Sequence, residues 1–155
     1  KFDVPDKFGI IYFDELDAIL NFKEELKDKE IDTARISSAY ILLVLSYIRV
    51  NLNRMDGKPL CCYRYFKTIS EDIGLSERYI SRIVNILEAL KIVKCLPMKR
   101  EKYIKDDKEK YATTPKVFAD YKHFIHDEHG QRIDKEYSPD KEIKKQIELL
   151  ENNKI

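Results

Sequence analysis

Arg78, Ser81, Arg82 and Asn85 recur at i, i+3, i+4 and i+7, the spacing that gathers side chains on one side of an α-helix. A guanidinium can bond a guanine edge at two points, a carboxamide can do the same at adenine, and a hydroxyl serves either base or phosphate. These residue types along one helix side point to the reading of base-pair edges rather than to making or breaking bonds. The opposite side carries Ile80, Ile83, Val84, Leu87 and Leu90, an apolar stripe that a core would hold. Ser76 is a good N-cap for this helix. Arg78 and Tyr79 fall in its first turn, where such helices meet base edges or phosphates. A single exposed Arg or Asn is usually only solvated, so the weight rests on the set and on the elements around it.

Other candidate chemistry is thinner. His123, His126 and His129 recur at every third residue beside Asp127 and Glu128, but the third drifts around the helix and no fourth metal ligand stands out. They read as a solvated helix end. Cys61 and Cys62 alternate faces if the segment is a strand, which buries one thiol and leaves no recognisable redox motif. The chain has no C-x-x-C, P-loop, G-x-S-x-G or dinucleotide fingerprint. Glu24 and Glu25 lie in a charged helical run and read as a solvated face. Neither a catalytic site nor a cofactor or metal is expected, and the chain does not read as an enzyme.

The flanking elements supply the setting. Phe8 to Phe13 is β-prone, and Asp14 is placed to cap a helix through Leu16, Leu20 and Leu26. From Phe13 to Asp32 acidic residues predominate, so this stretch should avoid phosphate. Ile36 to Leu52 reads as a buried helix, apolar on nearly every side. Turn residues follow at Asn53, Asp56-Gly57 and Pro59, then a short strand over Leu60 to Phe66. Thr68-Ile69-Ser70-Glu71 matches a capping box, opening a brief helix that stops at Gly74. After the longer helix, Ile92 to Leu96 predicts a strand, Pro97 to Lys110 a charged loop, and Tyr111 to Thr114 the returning strand. Short helix, glycine-containing turn, longer amphipathic helix and β-hairpin is the order of a winged helix-turn-helix. In the wing, Lys99, Arg100 and Lys102 are the expected phosphate contacts, with the acidic Asp106-Asp107 tip discounted; Arg64 and Lys67 are further candidates. Lys116 to His129 predicts a helix with Val117, Phe118, Tyr121 and Ile125 on one side, ended by Gly130. Ser138-Pro139 opens a last helix carrying Ile143, Ile147 and Leu150.

With 155 residues and 43% hydrophobic content the chain can bury one core plus an appendage. Its formal net charge of +1 argues against binding by bulk positive charge, though local clustering can still favour DNA. The most apolar run, Ala39 to Val50, is broken by Ser46 and Arg49 and falls short of the roughly 20 residues that span a bilayer. Three cysteines, two of them adjacent, do not resemble a secreted disulfide framework. With no signal-peptide pattern and an opening at Lys1, the expectation is a processed or excised chain in a reducing bacterial cytoplasm.

Gly74-Leu75-Ser76, Tyr79-Ile80-Ser81-Arg82-Ile83-Val84, Leu87-Glu88 and Ile92-Val93 resemble the helix-turn-helix of regulators of the multiple-antibiotic-resistance repressor (MarR) type. Gly9-Ile10-Ile11-Tyr12, the long helix from Ile36 and the strand before Thr68 are similar to replication-initiator and replisome-organiser proteins of Gram-positive phages and plasmids. Together the resemblance covers about residues 8 to 114. It implies that Arg78, Tyr79, Ser81, Arg82 and Asn85 face DNA. The chain departs from the pattern at Lys91, where glycine is common and suits a left-handed helix end, so strain or a different exit toward the wing is expected.

The expected fold is therefore mainly α with a small β-hairpin wing. It comprises an N-terminal strand-helix extension (1–32), a winged helix DNA-binding domain (33–114) and a helical tail (115–155) that dimerises or leads to a further domain. The expected partner is double-stranded DNA, bound by a homodimer, with replication or transcription machinery alongside and no membrane. The alternative is a winged-helix protein-interaction module, to which the near-neutral charge and acidic N-terminal helix point.

Overall fold

The computed structural model describes residues 11–52, 61–97, 102–112 and 116–121, together with 144, 145 and 148. The first helix, α1 (Phe13–Leu20), begins before Asp14, with Tyr12 at the N-cap position. The Tyr12 N–H donates to Glu15 Oε1 at 3.1 Å, and Asp14 and Glu15 in the first turn complement the helix dipole. That helical start replaces the expected strand at Phe13; Ile11 and Tyr12 lie in no strand, and Phe8 to Ile10 fall outside the described residues. A single-turn α2 (Phe22–Glu25) follows, then α3 (Ser38–Val50), capped by Ser37 Oγ, which accepts from the Ala39 N–H.

Ile19, Phe22 and Leu26 share one core with Ile41, Val44, Leu45 and Ile48 of α3. Residues 13–26 are thus part of the folded unit and not an extension to it. Two elements of the helical pair come next: α4 (Phe66–Ile73) and α5 (Glu77–Ala89). Thr68 lies inside α4 rather than capping it. The helix starts at Phe66, whose ring packs against Phe118 with centroids 6.2 Å apart, so it begins nearly a turn before the expected start. It ends at Gly74, whose φ of 75° closes a left-handed cap with its N–H on the Ser70 carbonyl at 2.9 Å.

Beyond α5 the expectations need correcting. Strand β1 (Cys61–Arg64) and strand β2 (Val93–Pro97) do not meet each other, and β2 is not answered by Tyr111 to Thr114. Both pair antiparallel with β5 (Lys116–Asp120), which is the centre of a three-stranded sheet. Phe118 stands opposite Cys62 on one side and Cys95 on the other. Residues 116–120, expected as helix, are a strand because Val117, Phe118, Ala119 and Asp120 are all buried. A short run of continuous apolar residues has no period of its own and fits helix or central strand equally well. The unit therefore extends past Thr114 to at least Tyr121, whose N–H donates to the Ile92 carbonyl at 3.1 Å. Residues 122–143, with the three histidines, lie outside the described residues; 144, 145 and 148 are helical.

The stretch expected as a charged loop holds a hairpin of its own, with β3 (Lys102–Lys105) paired to β4 (Lys108–Tyr111). Asp106 and Asp107 have φ of 54° and 59°, the double left-handed turn that suits the twist of a two-residue hairpin. Aspartate tolerates that conformation better than most residues.

One ionic node joins α1 to β5. Buried Arg49 donates to both Glu15 oxygens, at 2.7 and 2.5 Å, and through Nε to Asp120 Oδ2 at 2.5 Å. Burial alone would lower the pKa of the guanidinium; the hydrogen bonds and charges of Glu15 and Asp120 outweigh it and hold the pKa above its ordinary value.

Candidate nucleic-acid interface

Helix α5 is fixed at both ends. Ser76 Oγ accepts from the Tyr79 N–H at 3.2 Å. At the other end the Lys91 and Ile92 N–H groups donate to the carbonyls of Glu88 and Leu87, both at 3.0 Å. This is the paired closure of a left-handed helix end, and Lys91 adopts it at φ 56° where glycine would be easier. The exit toward β2 is thus the one a glycine gives, reached at some backbone cost. Ile80, Ile83, Val84, Ile86 and Leu87 are buried and orient the helix.

Of the six residues expected to read DNA, Ser76 is the cap and the other five divide into two groups. Arg78 and Asn85 are exposed and Ser81 is half-buried, all on the side away from the core. Tyr79 and Arg82 instead face the segment that leads into α3. The Tyr79 hydroxyl accepts from the Ser37 N–H at 3.1 Å and donates to the Arg35 carbonyl at 3.4 Å, with its ring edge-on to Tyr40. Arg82 Nη2 donates to the Ala34 carbonyl at 2.5 Å and pairs with Asp32 Oδ2 at 3.0 Å. Arg82 Nε is buried without a hydrogen-bond partner. With its fork turned to residues 32–34, Arg82 is not free to lie flat against a guanine edge. Sequence reading could not find this, because Asp32 and Arg82 are far apart in the chain and no local pattern joins them.

The C-terminal half of the helix borders a depression of about 490 Å³ lined by Glu30, Ile31, Asp32, Arg82, Asn85, Glu88 and Ala89. Its three carboxylates make it a poor seat for phosphate. Burial pushes the Glu88 pKa up, against the pull of Lys94 and of the Cys95 backbone. The cationic character of α5 is therefore confined to its first turns.

The hairpin is exposed on both faces. Residues opposite each other in an antiparallel pair share a face, so Tyr103, Lys105, Lys108 and Lys110 form one side, without a carboxylate. Lys102, Ile104, Glu109 and Tyr111 form the other, with the Lys102 ammonium 5.6 Å from the Tyr111 ring centroid. Lys102 thus sits on the less cationic face, while the three lysines left out of the expected contact set make the more cationic one. Lys99 and Arg100 lie outside the described residues. Lys67 is exposed. Arg64 is half-buried and donates to Asn51 Oδ1 at 3.0 Å, next to the end of α3.

Among the described residues no group of three or more His, Cys, Asp or Glu is placed to hold a metal ion, and no helix is long and apolar enough to cross a membrane. Cys62 is buried. Burial, and then the charge of Glu88, push the Cys95 thiol up to about 12 despite Lys116 and Lys94, which keeps it protonated and unreactive. No family model, curated protein or solved structure matches the chain, so the assignment of function rests on these residues alone.

Proposed function

We propose that the chain is a winged helix-turn-helix domain that binds duplex DNA by sequence and without catalysis, in replication initiation or transcription control on a bacterial mobile element. The observation that carries this reading is the charge separation on the β3–β4 hairpin, whose Tyr103, Lys105, Lys108 and Lys110 face offers three ammonium groups and no carboxylate. A two-stranded ribbon of that kind suits a phosphate backbone. The order of short helix, glycine turn and longer helix supports it, with Arg78 exposed and Ser81 half-buried near the N-terminal end of α5, the part of a recognition helix that meets base edges. A homodimer on two half-sites follows as part of the same proposal.

Fluorescence anisotropy of a labelled mixed-sequence duplex at two salt concentrations tests this. Binding should weaken steeply with salt. Replacing Lys105, Lys108 and Lys110 together by alanine should weaken all sequences alike and flatten that slope. Arg78→Ala should cost about 1–3 kcal/mol at a preferred site and relax its base preference. A folded sample that binds no duplex at low salt would favour the second reading, a protein-interaction module. The acidic depression beside α5 is the observation on that side.

A further inference from the structure

The segment Asp32–Ser37 is tied by several hydrogen bonds, most of them to Tyr79 and Arg82 of α5. Asp32 Oδ1 accepts from the Ala34 N–H at 3.0 Å. Arg82 takes the Ala34 carbonyl, Tyr79 takes the Arg35 carbonyl, and the Ser37 N–H donates to the Tyr79 hydroxyl. Ile36 is buried in the core. Between these ties Arg35 adopts a φ of 60°, a left-handed conformation unfavourable for an L-residue with a Cβ and one that Gly or Asn would adopt more easily. Its side chain is exposed, and among the described residues its guanidinium has no ion-pair partner. The turn is thus fastened to the first turns of α5, the end where Arg78 is exposed, and it presents the Arg35 cation at the surface.

We propose that Arg35 is a phosphate anchor of the DNA-binding face, and that Tyr79 and Arg82 are positioning residues that hold it there. This inference rests on the reading of the chain as a duplex-binding domain. An unfavourable backbone kept at an exposed arginine, with the surrounding bonds over-determining it, makes sense if the direction of that guanidinium matters. The geometry also gives α5 a different division of labour. Base edges are left to Arg78, Ser81 and Asn85, while Arg82 acts through the turn.

The test separates fold from contact. Arg35→Gly and Arg35→Asn both suit the left-handed backbone, so thermal melts should be unchanged or raised. Duplex binding should nevertheless fall about fivefold near physiological salt, with the salt slope smaller by about one, as for the loss of one phosphate contact. Arg35→Lys, which keeps the charge, should retain most of the slope. If both Arg35 variants melt like the parent or higher and bind with its affinity and slope, while Arg78→Ala weakens binding, the anchor is overturned and the DNA reading stands. If the parent itself binds no duplex at low salt, both are overturned.

Discussion

Arg49 and Arg82 both hold carboxylates, and they do so in opposite ways. Arg49 is buried between Glu15 and Asp120, with both of its edges bonded. Arg82 is partly exposed, pairs with an Asp32 that is 69% exposed, and leaves Nε buried without a partner. The first is a closed node: each charge removed from water is answered, and removing one member strands the others. The second is a fastening at the surface, where solvent weakens the charge pair and the carbonyl bond does as much as the salt bridge. A guanidinium beside a carboxylate is therefore no guide to its role until its burial and its remaining donors are counted.

Substitutions should widen that contrast. Arg49→Met leaves two carboxylates facing each other in the core and should cost about 3–5 kcal/mol in urea unfolding; restoring neutrality with Glu15→Gln and Asp120→Asn should recover a large part. Arg82→Ala should cost far less, about 1 kcal/mol, and should weaken duplex binding without relaxing base preference, because the residue acts through the turn. A loss of base preference instead would return Arg82 to the bases. Asp32→Asn should change stability by less than about 0.5 kcal/mol, an effect that added salt erases.

The smallest effect concerns the neighbour of Arg82. The folded-state pKa of Glu88 is raised, so the fold favours its protonated form. The stability this gives is present below the ordinary carboxylate value and is lost as pH rises through the folded value. Glu88→Gln should flatten the fall in melting temperature as pH rises out of the ordinary carboxylate range; an unchanged profile would mean that burial there is not felt.

The sequence was most informative where periodicity was long and punctuation strong. Helix α5, its Ser76 cap and the Gly74 stop are all readable from apolar spacing and capping chemistry. The sheet was not, because its central strand is a five-residue segment with only Val117, Phe118 and Ala119 apolar, and the first two also satisfy helical spacing with Tyr121. Nor was the hairpin, since Asp106-Asp107 reads as an acidic tip until the two positive φ values reveal it as the turn itself. Arg49 did leave a signal: it is the one charged residue in the Ala39–Val50 run, and a charge so placed must find partners or stay out of the core. Of the candidate site, residue identities were readable but not their duties, because the ties from Tyr79 and Arg82 to residues 32–37 span more than forty positions.

The position of β5 bears on how the molecule comes into being. Its two neighbours in the sheet are synthesised before it, and so is the whole intervening hairpin. On a ribosome, β1 and β2 must wait with open edges, and Arg49 without Asp120, until the chain has emerged past residue 120. Such waiting edges are templates for wrong pairing, and closure over so long a separation is slow. The nascent chain is thus most exposed to aggregation just before the residues of β5 appear, and the hairpin lengthens that delay.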